Sequence, residues 1–261
     1  MQRYNVRLLI AYDGSEFLGW QKTGKGTGRT VEETVERVLE KILQHPVNLQ
    51  AASRTDRGVH AKGQVVNFFT SHTFDMAKLQ RKMNQLLPPD VVVRSAVEAA
   101  PDFHPTLHAK GKEYHYEIAC TPSCLPHVRF TRWHIPHPLD LDLMQEASSF
   151  IVGTRDFLAF CNARKNLCYE NTIRTLAALR LIQVEDGLRI ELIGDHFLYK
   201  MARNIVGTLV YVGLRKISPS QIPYIVAGKK RTEAGITAPA HGLTLYQVYY
   251  GDTTQRHEGG A

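Results

Sequence analysis

The chain has 261 residues, 43% of them apolar and 22% charged. These are globular values, and they exclude a disordered, collagenous or coiled-coil chain. Lys plus Arg number 32 against 25 Asp plus Glu, a formal charge of +7 that points to an anionic partner only if the cations cluster.

The first apolar run, residues 6–12, ends at Asp13-Gly14 and predicts a strand followed by a turn. Its apolar core is too short for a signal peptide. A Gly-rich stretch follows at residues 24–28. Thr30 and Glu33 form a capping box, and Val31, Val35, Val38, Leu39, Ile42 and Leu43 recur at helical spacing. His45-Pro46 ends that helix. Residues 47–52 and 63–69 predict two strands with a polar turn between them, residues 75–87 a helix stopped by Pro88-Pro89, and residues 91–97 a strand.

The pattern then restarts. Tyr114, Tyr116 and Ile118 alternate with polar residues over 110–119, as in a strand. Leu139, Leu143, Ala147, Phe150 and Ile151 share one face of a helix over 139–152. Residues 173–184 and 188–193 predict a hairpin turning at Glu185-Asp186-Gly187. A long helix over 197–215, a short one over 218–227 and a closing strand over 243–250 complete the chain. Two α/β halves follow, residues 1–105 and 106–250, with a disordered tail at 251–261. The fold class is α+β with mainly antiparallel sheets.

No stretch approaches the ~18 apolar residues of a membrane span. Four Cys are too few for a disulfide scaffold in a chain this long, so a reducing cytoplasm is expected. Cys120, Cys124 and His127, with Cys161 and Cys168 further on, lack the paired spacing of structural zinc, so no metal is expected. No Ser-His-Asp set, metalloprotease helix or phosphate loop is present in the sequence, and no cofactor is implied.

One segment concentrates chemistry: Arg54-Thr55-Asp56-Arg57-Gly58-Val59-His60. A carboxylate lies between two guanidinium groups, which favour its ionised form. Taken alone, the segment also reads as an ordinary Asp-X-Gly turn.

The segment resembles the catalytic loop of the bacterial type A tRNA pseudouridine synthases. Tyr12-Asp13-Gly14-Ser15 with Gly19-Trp20-Gln21 resembles that family's opening strand and turn. Gly63-Gln64-Val65-Val66, Asn84-Gln85-Leu86-Leu87-Pro88 and Asp102-Phe103-His104 match later signposts. Lys112-Glu113-Tyr114-His115-Tyr116 resembles its basic-X-Tyr-X-Tyr strand. Met201-Ala202-Arg203-Asn204-Ile205-Val206-Gly207 resembles a helix of the family, and Ala238-Pro239-Ala240-His241-Gly242-Leu243 its C-terminal motif. The resemblance runs in order over residues 6–250.

The resemblance implies two ferredoxin-like (RRM-like) lobes joined across a central cleft, and a homodimer. It implies isomerisation of uridine to pseudouridine at positions 38, 39 and 40 of the tRNA anticodon stem-loop. The reaction breaks the C1′–N1 bond, rotates the uracil and rejoins it through C5. A glycosidase commonly needs two carboxylates, but a uracil leaving through N1 spreads its charge into two carbonyls, so one can suffice. The motif makes Asp56 that carboxylate, either as nucleophile at C1′ or as a base on the sugar. Arg54 takes the place of the flipped nucleotide, or is a surface phosphate contact. Tyr114 stacks on the target base, or is a core aromatic; Tyr116 shares its face. Arg203 pairs with Asp56, or holds a phosphate, and Lys200 one turn earlier adds to a basic face of the same helix. Leu243 packs on the base or in the core. Arg57 stands where the bacterial pattern has Ala, which bears on substrate range, and Lys22, Lys25 and Arg29 lie in a loop expected to extend the basic surface.

Overall fold

The computed structural model describes residues 3–23, 28–163 and 169–251. They form two compact units, one built from Met1–Lys110 with Leu245–Ala261, the other from Gly111–Thr244.

In the first unit, β1 (Tyr4–Tyr12) leads to α1 (Val31–Leu43), then to β2 (Gln50–Ala51), β3 (His60–Thr70), α2 (Met76–Leu86) and β4 (Val91–Ala99). Strand β1 lies between β3 and β4, antiparallel to both. Val6, Leu8, Ile10 and Tyr12 alternate inward and bury the sheet face. Helix α1 sets Val31, Val35, Val38, Leu39 and Leu43 on its buried side. Thr30 caps it, its hydroxyl accepting from Glu33 N, which contributes about 1 kcal/mol. Asp75 caps α2 in the same way. Asn84 on α2 fastens that helix to β4 through both the N–H and the carbonyl of Val93.

The strand expected over 47–52 shrinks to Gln50–Ala51. The reason is local: Glu36 and Glu40 of α1 accept the backbone N–H groups of Leu49 and Val47. That segment docks on the helix instead of extending the sheet ladder.

In the second unit, β5 (Gly111–Ala119) is followed by β6 (Trp133–His134), α3 (Leu141–Ile151), β7 (Gly153–Asp156), β8 (Ile173–Val184), β9 (Gly187–Gly194), α4 (Met201–Gly213) and α5 (Ile222–Gly228). The order is β5-β9-β8-β7, all antiparallel neighbours, and the two-residue β6 adds a parallel pair to β5. Tyr114, Tyr116 and Ile118 face the core with Leu188, Ile190 and Leu192. The opposite face is ionic. Glu117 accepts from Arg189 at 2.6 Å, and Glu113 meets His115 at 2.7 Å with Glu191 alongside.

The closing strand β10 (Leu243–Tyr249) begins in the second unit and ends in the first. Sequence order places all of it in the C-terminal half. Its residues from Leu245 belong to the first unit because β10 lies beside β3. Gly63 of β3 sits so close to the Tyr246 carbonyl that a Cβ there would meet it at 2.3 Å. The fold is α+β in two lobes with mainly antiparallel sheets. The expected tail falls almost wholly on residues 252–261, outside the described residues.

Candidate active site

In the first unit, the loop between β2 and β3 carries Arg54, Asp56 and Arg57. Its two ends are tied together: Gln64 on β3 accepts from Ser53 N and donates to Ser53 O. Its centre is tied to the segment after β1. Tyr12 and Thr55 share a hydroxyl–hydroxyl bond of 2.7 Å, and Trp20 N donates to Thr55 O at 3.0 Å. Val59 N closes a turn onto Asp56 O. His60 Nδ1 accepts from Gly14 N at 3.1 Å.

Two glycines make this approach possible. Gly19 has φ +104°, and a Cβ there would lie 2.8 Å from Thr55 O; a Cβ on Gly14 would lie 2.1 Å from Val59 O. The same segment caps α1, since Gly19 O and Trp20 O accept the first helical N–H groups, Val31 N and Glu32 N. Helix, loop and strand end are thus one hydrogen-bonded assembly. Within it Thr55 is buried, Asp56 half-buried, and Arg54 and Arg57 exposed. The Asp13 carboxyl lies below its ordinary value: burial pushes it up, and bonds from Ser15 with the nearby His60 outweigh that.

In the second unit, Tyr114 and Tyr116 point the same way from β5 but do different things. Tyr114 meets Phe197 edge-on at 4.9 Å. Tyr116 is fully buried, donates to Pro239 O at 2.8 Å and meets Trp133 edge-on. Burial pushes its phenol up, with the Arg203 guanidinium pulling the other way. Tyr116 therefore holds the 238–242 segment in place. Leu243, 5% exposed, follows directly on that segment at the start of β10.

Arg203 lies in the first turn of α4. Its Nε donates to Ala238 O at 2.7 Å, and Ala238 N donates back to Arg203 O. Behind it runs a polar network that sequence reading did not find. Asn204 binds Phe160 O and Asn162, and Arg231 reaches Asn204, Gly235 O and Thr237. Its members, from Phe160 to Thr237, are scattered along the chain, so no spacing could reveal it.

Two expectations need correction. The long helix was expected over 197–215 with Lys200 and Arg203 on one face. It spans Met201–Gly213, and Lys200 stands before it in the left-handed conformation, φ 61°. Its ammonium lies over the Tyr199 ring. The basic extension by the 22–29 loop is also reduced. Lys22 pairs with Glu36 at 2.6 Å, and Arg29 pairs with Asp90 and lies on the Phe17 ring. Lys25 lies outside the described residues, as does Cys168. Cys120, Cys124 and Cys161 are free thiols. Among the described residues, no helix is long and apolar enough to cross a membrane.

A family model for tRNA pseudouridine synthase matches residues 8–107 and 147–251. The chain belongs to the tRNA pseudouridine synthase family. It is 48% identical to tRNA pseudouridine synthase A 2 of Protochlamydia amoebophila (strain UWE25), over 94% of each chain. It is 42% identical to tRNA pseudouridine synthase A of Acetivibrio thermocellus, over 94% of this chain and 99% of that one. With tRNA pseudouridine synthase A of Shouchella clausii it shares 43% identity over 93% and 92%. Pseudouridine synthases are isomerases. The matched ranges include the 53–60 loop and the Arg203 helix, but the model leaves out Tyr114 and Tyr116.

Proposed function

We propose that this chain converts uridine to pseudouridine at positions 38, 39 and 40 of the tRNA anticodon stem-loop, with Asp56 as the single catalytic carboxylate. The carrying observation is the anchoring of the 53–60 loop. Bonds to Thr55, Ser53 and His60 immobilise the backbone on both sides of Asp56. A carboxylate that must meet one sugar carbon needs such a rigid mount. Arg54 and Arg57, exposed beside it, suit a polyanion. Arg54 fills the space left by the extruded nucleotide, at a cost of a few kcal/mol for unstacking that binding energy offsets. Tyr114 stacks on the base, Arg203 acts as the cation partner of Asp56, and Lys200 and Leu243 complete the substrate contacts. The working form is a cytoplasmic homodimer acting without a cofactor.

The test uses tRNA transcripts carrying tritium at uridine C5. Rejoining the base through C5 must release that tritium to water. Wild type releases it from transcripts with uridine at 38, 39 or 40, and Asp56→Asn does not. Absence of release by wild type on any tRNA would overturn the reading. Equal release by the variant would remove Asp56 from the chemistry. Free uracil would mark a glycosylase instead.

A further inference from the structure

Lys112, two residues before Tyr114 on β5, is 8% exposed. Lysine is almost never buried this deeply without a partner. Yet among the described residues the Lys112 side chain makes no hydrogen bond and no ion pair, while every other buried charged side chain has one. Burial pushes its ammonium down to about 8 from an ordinary 10.5, with no neighbouring carboxylate to offset it.

The surroundings are electropositive. The segment from Asp195 to Lys200 links β9 to α4 beside this end of β5, where Lys112 pairs in register with Gly194. Within that segment, His196 is held below its ordinary value by burial first, then by the charge of Lys112, with Asp195 opposing and Arg174 adding to the effect. Arg174 uses one terminal nitrogen on Asn171 O and Ile173 O and lies 5.9 Å from the centre of the Tyr169 ring, and among the described residues its buried Nε has no partner. The acid in this segment, Asp195, accepts from the backbone N–H groups of Thr175 and His196. Lys112 is thus a nine-tenths buried ammonium whose side chain has no partner among the described residues.

We infer that Lys112, with Arg174 on the far side of β9, is a subsite for a backbone phosphate of the RNA substrate, next to the nucleotide that Tyr114 receives. This deepens the reading above and rests on it. The geometry supports the neighbour relation. Residues i and i+2 on one strand face lie about 7 Å apart, so an anion on Lys112 sits within a nucleotide's reach of a base on Tyr114. A phosphodiester supplies the missing charge and acceptor oxygens together. The cost of keeping the ammonium empty is returned when the phosphate arrives.

The test compares wild type, Lys112→Met and Lys112→Arg in the full chain. Affinity for tRNA is measured over a salt series, and pseudouridine formation under single turnover. Lys112→Met weakens binding roughly tenfold and flattens the slope of log affinity against log salt by about one. The loss falls on affinity more than on the saturating rate, and Lys112→Arg restores both affinity and slope. Unchanged affinity and slope in Lys112→Met would overturn the subsite. So would a loss confined to the saturating rate, which would place the ammonium against the base. If wild type binds tRNA with the stated salt slope but forms no pseudouridine, the function fails and the subsite stands.

Discussion

Tyr12 and Thr55 lie 43 positions apart, and their hydroxyls meet at 2.7 Å with both side chains buried. Tyr12 ends the first strand; Thr55 precedes Asp56. This bond ties the residue before the carboxylate directly to the sheet. A single peptide bond separates the anchored residue Thr55 from the half-buried Asp56.

Tyr12→Phe keeps the ring and removes the bond. Leaving Thr55 Oγ1 without this partner costs about 1 kcal/mol. Thermal melts are expected to show that modest loss. Single-turnover pseudouridine formation falls by more than stability alone explains, with tRNA affinity retained, because only the aim of Asp56 has changed. A variant with wild-type rate at saturating tRNA would show that the remaining anchors suffice.

Arg231 is expected to act at a distance. It donates to Gly235 O at 2.7 Å, Asn204 Oδ1 at 2.9 Å and Thr237 Oγ1 at 3.1 Å. These bonds hold the strap that ends at Ala238, the residue bound to Arg203 through both backbone and side chain. Arg231→Met should cost about 2–3 kcal/mol by denaturant titration. It should also lower the saturating rate well below wild type at a temperature where the variant is fully folded. A stability loss with the rate intact would confine Arg231 to the scaffold.

Lys112 makes a prediction about stability as well as binding. It gives up its proton near pH 8 in the folded chain, and at about 10.5 when unfolded. Between those values the unfolded chain holds the extra proton, so stability rises with pH across that window. Below it, the buried ammonium costs the fold about 3 kcal/mol. Lys112→Met should therefore melt higher than wild type at pH 7, with the gain shrinking from pH 8 toward 10.5. Equal melting temperatures at pH 7 would contradict an uncompensated charge. A residue that weakens the fold while strengthening RNA binding is the trade expected at a functional site.

Much of this is legible in the sequence alone. The repeat from Val31 to Leu43 marked α1 because its apolar residues return every three or four positions, and Thr30 announced its start. Glu185-Asp186-Gly187 marked the hairpin, and Asp186 indeed takes the left-handed conformation there, φ 62°. The family motifs pointed to the loop around Asp56. Each of these signals spans a few neighbouring residues. The strands β6 and β7 left no such mark. Trp133–His134 is too short for alternation, and Gly153–Asp156 carries no apolar pattern. Both exist because a longer strand offers a free edge.

The charges divide in the same way. A net +7 was countable from residues alone, and so was the concentration of Arg around Asp56. Which cations remain available was not. Lys22 and Arg29 look like any basic loop residues, but Glu36 and Asp90 neutralise them across 14 and 61 positions. Lys112 looks like an ordinary basic residue in an alternating strand. Its isolation depends on which side chains the packing of β5, β9 and the turn before α4 brings near it. Local pattern follows from bonds between neighbours in the chain, and one sequence is enough to read it. The strength of a charge depends on its burial and on its partners in space, and those are set only when the chain has folded.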